Sequence, residues 1–181
     1  MAEALLWNAA LIAVVMLALW RVAVRIGDVS FIDAVWGAGM GLLAVASWWQ
    51  LADPGPRAHL IAAMTLVWAL RLAVHLYRRW RVSGEDPRYA RILGAHKARG
   101  AFATGALVLA FGPQAVLLFI TCLPAQLGVL ASGAGGIGPL ALAGLALWLI
   151  GMVFEVVGDW QLARFRADPA SKGRVLDTGL W

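Results

Sequence analysis

The sequence predicts an all-α fold: a multi-pass transmembrane helical bundle. Three observations carry that expectation. The 181 residues are 62% hydrophobic with a mean hydropathy of +0.78, more apolar surface than a water-soluble domain of this size can hide. The apolar residues fall in long runs, and crossing about 30 Å of hydrocarbon takes roughly 20 of them in a helix. None of the runs alternates with period two, which argues against a β-barrel and leaves helices to satisfy the backbone inside lipid.

Five such runs are expected to span, forming a single transmembrane domain over 1–181: Ala4–Val24, Phe31–Ala52, His59–Tyr77, Ala101–Ala131 and Pro139–Asp159. The first is not a cleavable leader by pattern. It opens on Met1-Ala2-Glu3, without a basic segment, and its positive charges Arg21 and Arg25 follow the apolar run, as in a signal anchor. The second holds Gly37 and Gly41 four residues apart, a spacing that suits close helix packing. The third ends in a basic stretch. The fourth carries Pro113 and Pro124 and is expected to kink. Between the fourth and fifth, Gly133-Ala134-Gly135-Gly136-Ile137-Gly138 matches a dinucleotide fingerprint by letter. Such a fingerprint needs a preceding strand, so the segment reads as a turn between helices. One cysteine, Cys122, leaves no disulfide framework and no cysteine metal site.

The positive charge is one-sided. With alternating spans, one side receives Arg21 and Arg25, then Arg78, Arg79, Arg81, Arg88, Arg91, Lys97 and Arg99, then Arg164, Arg166, Lys172 and Arg174, while the other receives Arg57. The positive-inside rule makes the basic side cytoplasmic and puts the N-terminus outside, as in a bacterial inner-membrane protein. Basic inner loops account for the net charge of +5, and no soluble basic domain points to nucleic acid.

Charges at membrane depth cost about 2.5–3.5 kcal/mol each and need partners or a wet cavity. Asp33, Arg71, Glu155 and Asp159, with His75 beside them, stand at such depth. Arg71 precedes Arg78 by seven residues, about 10 Å of helix. Glu155 precedes Arg164 by nine, about 13 Å. Asp33 follows Arg25 by eight, at most about 12 Å. Three spans thus bring polar groups to one level in the cytoplasmic half, as a cavity open to that side would. Simpler roles compete for each. Ser30 and Asp33 have the spacing of a capping box, Arg71 can snorkel, Asp159 can end its helix, and His75 can be a packing histidine. Trp7, Trp20, Trp48, Trp49, Trp80 and Trp160 sit near span ends, where interfacial anchors belong.

Several segments give the chain a resemblance. They are Ser30–Gly37, Trp68–Leu72, Glu85-Asp86-Pro87-Arg88-Tyr89, Gln114 with Pro124, and Gly151–Trp181, which includes Asp159-Trp160-Gln161-Leu162 and Asp177-Thr178-Gly179-Leu180-Trp181. Over essentially its whole length the chain resembles the DUF1295 membrane proteins of the steroid 5-alpha-reductase C-terminal domain superfamily. The resemblance implies a bundle of about seven spans that encloses NADPH from the cytoplasmic side, with every backbone group satisfied within lipid. It implies hydride transfer to a C=C bond of a lipophilic, steroid-like enone, with lipid metabolism as the setting. A protein acid would bond the carbonyl oxygen as charge develops there.

By order along the chain Asp33 takes the position of the catalytic carboxylate, with Arg71 nearby and both His75 and Tyr77 competing for the tyrosine's place. Glu155, Asp159 and Arg166 match the spacing of the cofactor stripe. Lys172 and Arg174 fall where phosphates would pass, and Arg88 and Arg99 are further phosphate candidates. Glu155 stands where the family has an amide, which directs it toward nicotinamide or ribose. The family's Arg-His-Pro-x-Tyr segment and two further spans would follow Trp181, so the expectation is a chain truncated relative to the family. A membrane methyltransferase using S-adenosylmethionine and a non-catalytic lipid-binding protein are the competing functions. The constellation of Asp33 and Arg71 in early spans favours the reductase.

Overall fold

The computed structural model describes residues 1–181, and every regular element is helical. The chain divides into two compact units, Met1–Gly136 and Ile137–Trp181.

In the first unit, α1 runs Ala2–Ile26, α2 Ile32–Trp49 and α3 Pro56–Ser83. Then come α4 (Pro87–Ala98), α5 (Phe102–Ala106), a π-helical turn at Leu107–Phe111, α6 (Gly112–Thr121) and α7 (Leu123–Leu130). Local chemistry sets several ends. Gly27 closes α1 in the left-handed conformation (φ 72°), its N–H bonded to Ala23, as a residue without Cβ allows. Proline begins α3, where its missing N–H costs nothing. Pro113, by contrast, sits where a continuing helix would need its N–H. The preceding turn widens, Gly112 N–H reaches back to Leu107, and α6 restarts on the far side. The kink expected at Pro113 is therefore a π-turn, and Pro124 begins a separate helix, α7.

The element α2 is the spine of this unit. A Cβ on Gly37 would lie 2.5 Å from the Ala69 carbonyl oxygen, and one on Gly41 would lie 2.9 Å from the Ala69 Cβ. Glycine thus lets α2 and α3 approach backbone to backbone. On another face Gly39 admits Leu118, whose Cδ1 would lie 2.6 Å from an added Cβ. The core around α2 holds Ile12, Met16, Ile32, Leu43, Leu93, Phe111 and Leu118.

Four helical segments are long and apolar enough to cross a membrane: Ala2–Ile26, Pro56–Ser83, Phe102–Thr121 and Pro139–Ala167. The expected second span falls outside this set. At 18 residues α2 is about 27 Å long, with three glycines, Asp33 in its first turn and two tryptophans at its end. The Gly133–Gly138 segment is a turn, as expected. Gly55 N–H bonds to the Gly133 carbonyl at 2.7 Å, and Arg57 braces Ser132 through Nε at 3.2 Å.

The second unit holds α8, Pro139–Ala167, and a short tail. The helix continues eight residues beyond Asp159, so that residue lies within it rather than at its end. A 3-10 turn at Pro169–Ser171 reverses the chain, and Ser171 Oγ donates toward the Phe165 carbonyl at 2.6 Å. The tail then returns along α8, where Leu180 N–H bonds to Gln161 Oε1 and Trp181 Nε1–H to the Gly158 carbonyl, each at 2.9 Å.

Candidate active site

One end of the first unit gathers the start of α2, the end of α3, α4 and the start of α6. Asp28 holds the connection before α2. Its Oδ1 accepts the Ser30 N–H at 2.7 Å, and its Oδ2 accepts Trp80 Nε1–H at 2.9 Å. Burial works against the charge on Asp28, but these hydrogen bonds outweigh it and keep the carboxyl below its ordinary range. Ser30 Oγ in turn accepts the Asp86 N–H at 2.7 Å, which ties the start of α4 to the start of α2.

The capping-box reading of Ser30 and Asp33 is overturned here. No side chain caps α2. Ser30 serves the neighbouring helix, and the Asp33 side chain is committed elsewhere.

Asp33 is the hub of the site. Its Oδ1 accepts the Tyr89 hydroxyl at 2.9 Å. Its Oδ2 takes Arg88 Nη2 at 2.8 Å and Arg79 Nη2 at 3.4 Å. The Tyr89 oxygen accepts from Gln114 Nε2 at 2.7 Å, and Gln114 Oε1 accepts Trp36 Nε1–H at 2.6 Å. A continuous chain of donors and acceptors therefore links α2, α4 and α6.

Each link has a local cause. The π-turn sets the rotation of α6 just before Gln114. Asp86 caps α4 by accepting the Arg88 N–H at 2.8 Å, which puts Tyr89 in the first turn. Tyr89 and Leu93, four apart, form the buried face of α4. Asp86 also grips the Arg88 guanidinium, at 3.0 Å to Nε and 2.9 Å to Nη2.

This geometry decides the protonation states. The Arg88 hydrogen bonds hold the Asp86 carboxyl below its ordinary range, and Asp86 first, then Asp33, hold Arg88 above its own. Burial, then the nearby Asp33 charge, pushes the Tyr89 phenol up to about 12. Tyr89 thus keeps its proton at ordinary pH and is a hydrogen-bond donor. Asp33 is only 21% exposed, whereas Arg88 is 64% exposed.

The residues singled out from sequence divide between the units. Asp33 and Arg88 meet, and Arg88 is an ion-pair partner of two carboxylates, Asp33 and Asp86. Arg71, His75 and Arg79 follow one another at four-residue spacing on α3, one face of that helix. Tyr77 makes a ring contact with Trp80 at 5.7 Å. Arg99 is exposed beyond α4 and returns its Nε to the Ala95 carbonyl. Trp20 and Trp80 are hydrogen-bonded within the unit, Trp20 to the Ala103 carbonyl at 2.8 Å, rather than acting only as interfacial anchors.

In the second unit Glu155 and Asp159 lie on one face of α8, with Arg166 near its end and exposed Lys172 and Arg174 after the reversal. The tail's Gly179 has φ 78° and lies so close to Gln161 that a Cβ would meet its Nε2 at 2.5 Å. The two sequence segments around Gln161 and Gly179 are therefore one packed unit.

Sequence reasoning missed Tyr89 as the hydroxyl on Asp33. The signal available was its place in the segment Glu85–Tyr89, next to an arginine and just after a cap.

No curated protein and no solved structure matches the chain. A family model described as a protein of unknown function, DUF1295, matches residues 19–181. With its all-helical fold and four apolar membrane-length helices, this is a membrane protein that belongs to the DUF1295 family.

Proposed function

We propose that the protein is an NADPH-dependent reductase of the C=C bond in a lipophilic enone, of the steroid 5-alpha-reductase-like kind. The observation that carries this reading is the Tyr89 hydroxyl held between Gln114, which donates to it, and Asp33, which accepts from it. Its one proton rests on Asp33 Oδ1. A substrate carbonyl oxygen would take the place of Asp33 as acceptor, and Arg88 and Arg79 would hold the carboxylate left behind. As hydride adds to the β-carbon, negative charge moves onto that oxygen, where a preorganised donor is worth about 10²–10³ in rate.

When bound, NADPH would supply the hydride. The groups that would hold it lie in the second unit. Exposed Arg166, Lys172 and Arg174 offer three cations to phosphates, and Glu155 and Asp159 offer acceptors to ribose hydroxyls or the nicotinamide amide. Arg88 is assigned to Asp33 instead, since two carboxylates already engage it. The basic end faces the cytoplasm in this reading, where the cofactor is found.

The test uses the full chain in lipid nanodiscs with NADPH and a panel of enones. Tyr89→Phe and Asp33→Asn are expected to lower turnover about 100-fold with cofactor affinity retained. Asp159→Ala and Arg166→Ala are expected to weaken NADPH binding. Turnover untouched in the first pair removes the catalytic assignment, and binding untouched in the second removes the cofactor assignment.

A further inference from the structure

A second feature of the basic end lies on the opposite face of α2 from Asp33 and does not depend on the reductase reading. A groove of about 740 Å³ runs between α1 and α3, with α2 as its floor, within the roughly 300–1,000 Å³ typical of small-molecule sites. Three alanines make it hollow. Ala34 and Ala38, one turn apart on α2, and Ala73 on α3 leave empty the space that larger side chains would fill. Its walls are aliphatic: Leu19, Val22 and Ile26 from α1 and Val74 from α3.

One end of the groove is closed by rings. Phe31 and Trp80 meet edge to face at 5.8 Å, and Tyr77 lies 5.7 Å from Trp80. Trp80 is pinned by its bond to Asp28 at 2.9 Å, so this wall is rigid. Arg78 is the only charged residue lining the groove, and exposed Arg25 stands on α1 three residues beyond Val22, on the same side of the helix. No acidic group lines it. An aliphatic channel that ends at an aromatic wall under one-signed positive charge has the chemistry of a lipid with an anionic headgroup. A zwitterionic lipid would bring its own cation beside the arginines and offset the attraction of its phosphate.

We propose that this groove binds one anionic phospholipid, its acyl chain lying over Ala34, Ala38 and Ala73 and its phosphate on Arg78. The experiment is native mass spectrometry of the delipidated full chain titrated with phosphatidylglycerol or phosphatidylcholine of equal chain length. The wild type is expected to retain one phosphatidylglycerol, about fivefold tighter than phosphatidylcholine, the discrimination that one basic group supplies at an anionic surface.

Arg78→Gln is expected to abolish that preference while chain binding persists. Ala38→Leu together with Ala73→Leu fills the groove and is expected to lower retention of both lipids at least tenfold. Inorganic phosphate is expected not to displace the lipid, because the chain supplies most of the contact. Far-ultraviolet circular dichroism and thermal unfolding establish that each variant is folded. If the filled variant does not fold, Ala34→Leu alone is read in its place, with partial loss expected. Equal retention of the two lipids by the wild type, or phosphatidylglycerol binding unchanged in a folded filled variant, overturns the proposal.

Discussion

The first unit holds two polar networks at opposite ends, built on different principles. At the end away from Asp33, Asn8 donates to Ser47 Oγ at 2.7 Å and to Gln126 Oε1 at 2.9 Å, and it accepts from Gln50 Nε2 at 2.9 Å. Gln126 spends its own amide N–H on the Phe119 carbonyl, and Ser47 donates to the Leu43 carbonyl at 2.8 Å. Asn8 is 1% exposed and Gln126 0%. The network is neutral and satisfied, and it ties α1, α2 and α7 into one register. In lipid such bonds set which helix faces meet, since leaving any member unpaired costs more than the bond gains.

The Asp33 network has the opposite character. It is charged, half-open, and contains a hydroxyl whose proton can be offered to another acceptor. A buried network whose members bond one another holds the fold, whereas one with an exchangeable acceptor can take a ligand. That contrast is why the functional reading attaches to Asp33 and Tyr89 rather than to the more deeply buried Asn8.

Breaking the closed network should give the largest effect on stability. Asn8→Leu leaves Ser47, Gln50 and Gln126 short of partners and is expected to cost about 3 kcal/mol, read as a lowered unfolding midpoint in detergent. Enone turnover of the folded fraction should not change. A loss of turnover without loss of stability would erase the distinction between the two networks.

Gln114→Leu attacks the open network at its neutral link. It strips the donor that orients Tyr89 and the acceptor of Trp36, and is expected to cost about 1–2 kcal/mol. Turnover should fall more steeply than stability, which a comparison of unfolding midpoint with steady-state rate would register.

Asp86→Ala removes the cap of α4 and one of the two carboxylates on Arg88. About 1 kcal/mol is expected, visible as faster amide exchange in the first turn of α4 and not elsewhere. The same cap has a pH signature. The Asp86 carboxyl titrates below its ordinary value of 3.8, so its contribution is complete above that pH and is lost as pH falls through the lowered value. Asp86→Asn should flatten acid destabilisation in that window.

The finest prediction concerns the phenol itself. The chain has two tyrosines, so Tyr77→Phe leaves Tyr89 alone. Its tyrosinate absorbance should then rise near pH 12 rather than 10.0. The stability that Tyr89 gains from keeping its proton is complete below the ordinary pKa and fades as pH rises toward 12. Titration at the ordinary value would mean that Tyr89 is not held against Asp33.

Much of the architecture is written in local sequence. Long apolar runs decide for helices in lipid, because an unpaired backbone cannot survive there. Proline at the start of α3 and glycine after α1 mark ends by their own conformational limits. Gly37 and Gly41 announce a close packing face, which the fold turns toward α3, and Asp33 stands out because a carboxylate inside an apolar run needs a reason. Each signal lies within a few residues of its effect.

Tertiary structure alone decided the pairings. Tyr89 reaches Asp33 across 56 residues, and Asn8 reaches Gln126 across 118. Those contacts depend on the rotation of each helix about its axis, set by glycine clefts and by the widened turn before Pro113. Hydropathy averages over that rotation. It could therefore locate a carboxylate that needed a partner, and it offered His75 and Tyr77 for the hydroxyl's place, but it could not find Tyr89.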